Sequence, residues 1–240
     1  MIKQLSSSFA IATILFSINM PTAMAAKAAA PVCPGALVDG KKRKNQLMTA
    51  TLGKKVQAAF DAYSAEDIDG GIAILLDAKA KDPFDIASKD RFLAQFYAQK
   101  GEFAKTIKLL QSAVDANILT EADHGQSLRL LADVQIQEGA YKTSIENYYK
   151  WMEFTCKEES DIWTRIGQAH YALKQLDKMI EPADNAIRVA KEPNQNPYIL
   201  KVTSYYERKI YKESIDVLET LVSTFPEEER WWVQLGMFYL

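Results

Sequence analysis

Trp163-Thr164-Arg165-Ile166-Gly167 and Trp232-Val233-Gln234-Leu235-Gly236-Met237-Phe238-Tyr239 are two copies of one pattern: tryptophan, an aliphatic residue three places on, then glycine. Weaker copies keep the logic with substitutions. Leu93-Ala94 leads to Tyr97 and then Gly101-x-Phe103, and Leu131-Ala132 leads to Gly139-x-Tyr141. Two more are read from Ala58-Ala59 with Ile68 and from Tyr205 with Tyr211. The units start near residues 52, 87, 125, 160, 195 and 229, at spacings of 35, 38, 35, 35 and 34. A near-constant period of this size marks an array of helix pairs in which each pair buries its apolar face only against its neighbours.

Residue size fits such pairs. Ala94, Ala132, Gly167 and Gly236 are small where the two helices of a unit should cross, because a larger side chain would push them apart. Gly71, Thr106, Ser144 and Ser214 are the expected opposing residues on the second helices. Ile107, Leu110, Ala113 and Val114 fall at helical spacing, as do Ile215, Leu218, Leu221 and Val222. Pro83, Pro193 and Pro226 follow second helices, where proline stops a helix without breaking it. Met179 stands where a small residue is expected, and Pro182 should kink or shorten its helix, so irregularity is expected over residues 179 to 183. The longer connection from Asn117 to His124 is expected to bulge from one edge.

The Trp, Leu, Gly and Tyr positions resemble the tetratricopeptide signature. The resemblance implies an all-α, right-handed superhelix of helix-turn-helix repeats over residues 52–240, about five full repeats and an incomplete sixth. Leu240 falls inside the first helix of that sixth unit, so a fragment of a longer product is expected. By the same resemblance, first helices line a concave protein-binding groove. Its positions here are Arg91, Gln95 and Gln99; Arg129, Asp133 and Gln137; Thr164, Gln168 and Tyr171; and Thr203, Tyr206 and Glu207. The Lys and Asn pairs of the family's carboxylate clamp are absent from the matching positions. The implied function is a scaffold for protein partners and not an enzyme.

The N-terminus reads as a signal peptide over residues 1–25. Lys3 supplies charge, Phe9 to Ile18 is mostly apolar, and Ala23-Met24-Ala25 has the form of a cleavage site. The apolar run is about half the ~20 residues of a membrane span, so membrane contact is expected to be peripheral at most. Export points to the periplasm, where Cys33 and Cys156 can pair or remain two thiols. A bond between them would add roughly 4 to 5 kcal/mol in the chain-entropy model. Residues 26–51 read as a flexible leader made basic by Lys41, Lys42, Arg43 and Lys44. Solvation accounts for such a run, and contact with an anionic surface is its functional reading.

Composition narrows the functional classes. Lys plus Arg number 29 against 31 Asp plus Glu, a net charge of -2 that gives no global field for nucleic acid. His170 is expected as a core or groove side chain, and His124 in a solvated loop with Glu121 and Asp123. Asp67-Ile68-Asp69-Gly70 resembles the start of a calcium loop but lacks its later ligands, so neither a metal nor another cofactor is expected. No zinc-protease, nucleophile-elbow or phosphate-loop motif occurs. Tyr148 and Trp151 are expected to pack in the core.

Over its mature length the chain is also similar to exported tetratricopeptide proteins found beside TonB, ExbB and ExbD components. The similarity rests on the short leader, on Gly53-Lys54-Lys55-Val56 at the head of the array, and on an array without another domain. It implies an accessory of a TonB-dependent transport system. The alternative is an envelope or cell-wall assembly factor whose basic leader touches an anionic surface.

Overall fold

The structure, a computed structural model, describes residues 33–240; the signal peptide expected over 1–25 lies outside them. Among the described residues, eleven α-helices are arranged as five pairs and one further helix. The first helices are α1 (Ala50–Ser64), α3 (Pro83–Gln99), α5 (Glu121–Gln137), α7 (Ser160–Ala172) and α9 (Gln195–Glu207). Their second helices are α2 (Ile68–Asp77), α4 (Phe103–Asp115), α6 (Tyr141–Thr155), α8 (Ile180–Val189) and α10 (Tyr211–Thr224). α11 (Glu229–Tyr239) follows. No helix among the described residues is long and apolar enough to cross a membrane.

One geometric relation repeats through the array. Ser144 Oγ on α6 donates to the carbonyl of Ala132 on α5, twelve residues earlier, at 2.7 Å. Thr106 reaches Ala94 and Ser214 reaches Val202 across the same separation, each at 3.4 Å. A Cβ on Gly71 would stand 2.9 Å from the Ala59 carbonyl and 2.4 Å from Phe96 Cε1. The small residue therefore admits a neighbouring backbone, and its hydroxyl satisfies a carbonyl there. Gly236 differs, since nothing lies within 4 Å of its would-be Cβ.

The turn between paired helices also repeats. Glu66, Gly101, Gly139, Lys174 and Lys209 all adopt left-handed backbone, with φ between 59° and 74°. Only two of the five are glycine, so three turns hold a Cβ in a conformation that disfavours it.

Three expectations need correction. Helices α3 and α5 begin about a turn before residues 87 and 125, because Asp82 and Thr120 cap them. Asp82 accepts from the amide of Phe84 at 2.9 Å with Pro83 as first helical residue, and Thr120 accepts from the amide of Asp123 at 3.2 Å. Pro83 thus opens a helix as well as following one. His124 is consequently helical and buried, not part of a solvated loop. The connection before it does not bulge: Leu119 is fully buried against Phe84, Ala87 and Ala113.

At Pro182 the second helix is shortened. A 3-10 turn, Leu176–Met179, replaces its start, and Pro182 falls in the first turn of α8, where its missing N–H has no intrahelical acceptor to lose. Met179 is wholly buried with Ala183 and Leu200. Tyr148 and Trp151 pack with Leu128, Ile162 and Ile166 in the central core.

Cys33, Gly35 and Arg43 are held against the array, which corrects the expectation of a flexible leader at those residues, while residues 44 to 47 are exposed. Leu37–Val38 (β1) pairs antiparallel with Lys41–Lys42 (β2). Arg43 turns inward: Nη1 donates to the carbonyls of Asn117 (3.1 Å) and Leu119 (2.8 Å), and Nη2 to Asn117 Oδ1 (2.7 Å). Lys41, Lys42 and Lys44 are exposed.

Candidate protein-binding surface

The residues expected to line a groove divide into two groups. Members of the first are engaged with neighbouring first helices. Arg91 Nη2 lies 2.7 Å from Asp123 on α5, its side chain only 11% exposed, with its guanidinium over the Phe92 ring. Burial lowers its pKa, against the pull of the Asp123 carboxylate. Arg129 forks to Glu159 and Asp161, each at 2.5 Å, and lies over Trp151. Asp133 accepts from Tyr148 Oη at 2.5 Å and lies 3.7 Å from Arg165 of α7. Tyr171 donates to Glu207 of α9 at 3.1 Å, and Trp231 of α11 donates to Gln195 of α9 at 3.1 Å. Polar links thus join α3 to α5, α5 to α7, α7 to α9 and α9 to α11.

Members of the second group, Thr164 apart, carry the free chemistry. Gln99, Gln137, Gln168 and Tyr206 are exposed, while Gln95 and Thr203 are half-buried. Thr164 is buried and donates to the Ser160 carbonyl of its own helix. Each glutamine offers a donor and an acceptor, the pair that an extended main chain needs. Tyr206 is 55% exposed and sits edge-on to Tyr211 (6.0 Å) and Phe238 (5.7 Å). Tyr211 and Phe238 complete an aromatic cluster that sequence reading assigned only to the repeat pattern. Their alignment with Tyr206 depends on how α9, α10 and α11 stack, which periodicity does not specify.

Two recesses lie by the connections between repeats. One of about 540 Å³ is lined by Asn45, Thr120, Gln126, Arg129, Trp151 and Lys157. Another of about 610 Å³ lies between Glu158, Asp161, Val189 and Lys191. Of the expected groove residues, Arg129 alone lines either one. No group of His, Cys, Asp and Glu among the described residues could hold a metal ion. His170 Nδ1 lies 2.8 Å from Gln175 Oε1.

Cys33 and Cys156 are bonded as a disulfide with their Cα atoms 5.7 Å apart. Cys156 follows α6 in left-handed backbone, and Gly35 is buried against Phe154. The His124 ring stacks on Phe154 with centroids 4.6 Å apart, and Arg43 covers the same ring at 5.2 Å. Burial, reinforced by the Arg43 charge, lowers the His124 pKa from 6.5 to about 4.

No protein-family model matches the sequence, and no curated protein does. Solved structures do match by shape. A tetratricopeptide repeat protein from Parabacteroides merdae superposes with a TM-score of 0.61 at 14% identity, over 79% of this chain and 72% of that one. YrrB, described as a TPR protein with an unusual peptide-binding site, gives 0.58 at 12% identity over 75% of this chain and 89% of its own. MamA from Desulfovibrio magneticus gives 0.60 at 11% identity over 76% of this chain and 99% of its own. Five helix pairs with a repeated crossing, a repeated left-handed turn and these structural likenesses show that the chain has the tetratricopeptide-repeat fold.

Proposed function

We propose that this chain is a protein-binding scaffold, not an enzyme, that seats an extended segment along Gln95, Gln99, Gln137, Gln168, Thr203 and Tyr206. The carrying observation is the division of labour on the first helices. Arginines and carboxylates tie one repeat to the next, whereas the exposed amides and Tyr206 remain open to a partner. A rigid helical frame spares the backbone ordering cost of binding, and tyrosine supplies contact area with few rotors. Peptide binding by YrrB, a protein of the same fold, supports the same use of this one.

For the partner we infer a component of a TonB-dependent transport system in the periplasm, among TonB, ExbB and ExbD. The signal sequence and the similarity to exported proteins encoded beside such systems support that assignment. Titration calorimetry with the periplasmic portions of TonB, ExbB and ExbD tests it. Gln137→Ala combined with Tyr206→Ala should weaken binding roughly 10- to 100-fold, with helicity retained. Unchanged affinity would refute the groove; absence of binding to any of these portions would refute the TonB assignment.

A second reading, an envelope assembly factor contacting an anionic surface, is favoured by the outward Lys41, Lys42 and Lys44. It requires salt-sensitive binding to anionic vesicles that is abolished by replacing these three lysines with alanine.

A further inference from the structure

We propose that residues 33–45 are a strap latched by the Cys33–Cys156 disulfide, and that a dithiol reductant opens it to uncover Phe154 and His124. The inference is independent of which partner the groove binds.

Few contacts other than the latch hold this segment down. Between Cys33 and Gln46, Gly35 is the only buried residue. The polar attachment is concentrated in Arg43, whose guanidinium satisfies two carbonyls and an amide oxygen of the α4–α5 connection. Residues 44 to 47 are all exposed, with Leu47 at 89%. Just beyond them Thr49 is fixed to Asp85, by its amide at 3.0 Å and its hydroxyl at 2.6 Å. The segment is therefore anchored at one end by the first repeat and at the other by a covalent bond to the third, with an exposed hinge between.

An aromatic ring of α6 and a buried imidazole of α5 lie beneath it. The Phe154 ring is covered by Gly35 and Arg43 and stacked by His124, whose buried Nδ1 has no partner. Beside them a recess of about 370 Å³ is lined by Pro34, Leu37, Val114, Leu128 and Phe154. Withdrawing the strap exposes an apolar ring and an imidazole while leaving α4, α5 and α6 their own packing. A segment with this little burial opens locally before the array unfolds.

The chemistry is balanced by a dithiol. One of its thiolates attacks the exposed Sγ of Cys156, the S–S bond breaks, and Cys33 leaves as thiolate and takes a proton. The second thiolate resolves the mixed disulfide, Cys156 takes the other proton, and the reductant departs as its own disulfide. Two electrons pass to the protein.

Limited trypsin digestion of the full mature chain, followed by mass spectrometry, tests the latch. Dithiothreitol without denaturant should speed cleavage after Lys41, Lys42 and Arg43 by roughly tenfold or more, with circular dichroism at 222 nm unchanged and resistance restored on reoxidation. Cys33→Ser should show the fast rate without reductant. Equal cleavage rates in both redox states would overturn the proposal. So would two free thiols in the untreated protein, or a cooperative loss of helicity on reduction, which would make the bond a staple for the whole array.

Discussion

Tyr148, buried to the last atom of its ring on α6, donates its hydroxyl at 2.5 Å to Asp133, a half-buried carboxylate on α5. The bond joins the two helices of the third repeat, and Arg165 of α7 lies 3.7 Å from the same carboxylate. A groove-register residue is thereby held by the core beneath it. Tyr148→Phe should lower stability by about 1 to 2 kcal/mol, read by urea denaturation at unchanged m-value. Burial and the bonded carboxylate raise the Tyr148 pKa above the ordinary 10. Its stabilising contribution is complete below pH 10 and is lost as pH rises beyond it, so the variant and wild type should converge in alkali.

His124 gives the opposite window. Its folded pKa of about 4 lies below the unfolded 6.5, so between those values the unfolded chain binds the extra proton. Stability is full above pH 6.5 and falls on acidification, by about 2 to 3 kcal/mol from this residue by pH 4. His124→Phe keeps the stack on Phe154 and removes the titration. Thermal melts across the range should show a shallower acid slope for the variant; parallel slopes would contradict the assignment.

Lys174 holds left-handed backbone at φ 59° in the turn between α7 and the 3-10 segment. Glycine adopts this conformation without steric conflict. Lys174→Gly should raise stability by about 0.5 to 1 kcal/mol in spite of the freer unfolded chain. A loss of stability would show that the lysine side chain, whose ammonium lies 5.0 Å from the Tyr171 ring centroid, outweighs the backbone term.

The helix crossings distinguish two glycines. Gly71→Ala drives a methyl against the Ala59 carbonyl and the Phe96 ring, and should cost about 1 to 3 kcal/mol. Gly236→Ala meets open space inside α11 and should stabilise by about 0.5 to 1 kcal/mol through helix propensity. Denaturation midpoints that move in the same direction would contradict the packing account.

The pattern that decides the fold was legible because close packing leaves a compositional mark: Ala94 and Ala132 are small and so are Thr106 and Ser144 twelve residues on, whereas opposite Gly167 the larger Met179 is admitted. Helix starts are legible in the capping residues of α3 and α5. Thr120 is an N-cap residue, its hydroxyl accepting from the Asp123 amide, and that signal places His124 inside a helix. The surface was less legible. Arg91 and Arg129 stand in the register of a groove, yet their partners Asp123, Glu159 and Asp161 come from the next repeat, and spacing along the chain does not say which way a guanidinium turns. Arg43, in a run of four basic residues, is the one that turns inward, fixed by carbonyls 74 and 76 residues away.

Photo-crosslinking in living cells, with the reactive residue placed singly at Gln99, Gln137, Gln168 and Tyr206, tests the central claim most directly. Lys108 and Glu146, exposed on the second helices α4 and α6, serve as controls. One protein should be captured from all four first-helix positions and from neither control. Capture through Lys108 or Glu146 with none from the glutamines would contradict the account.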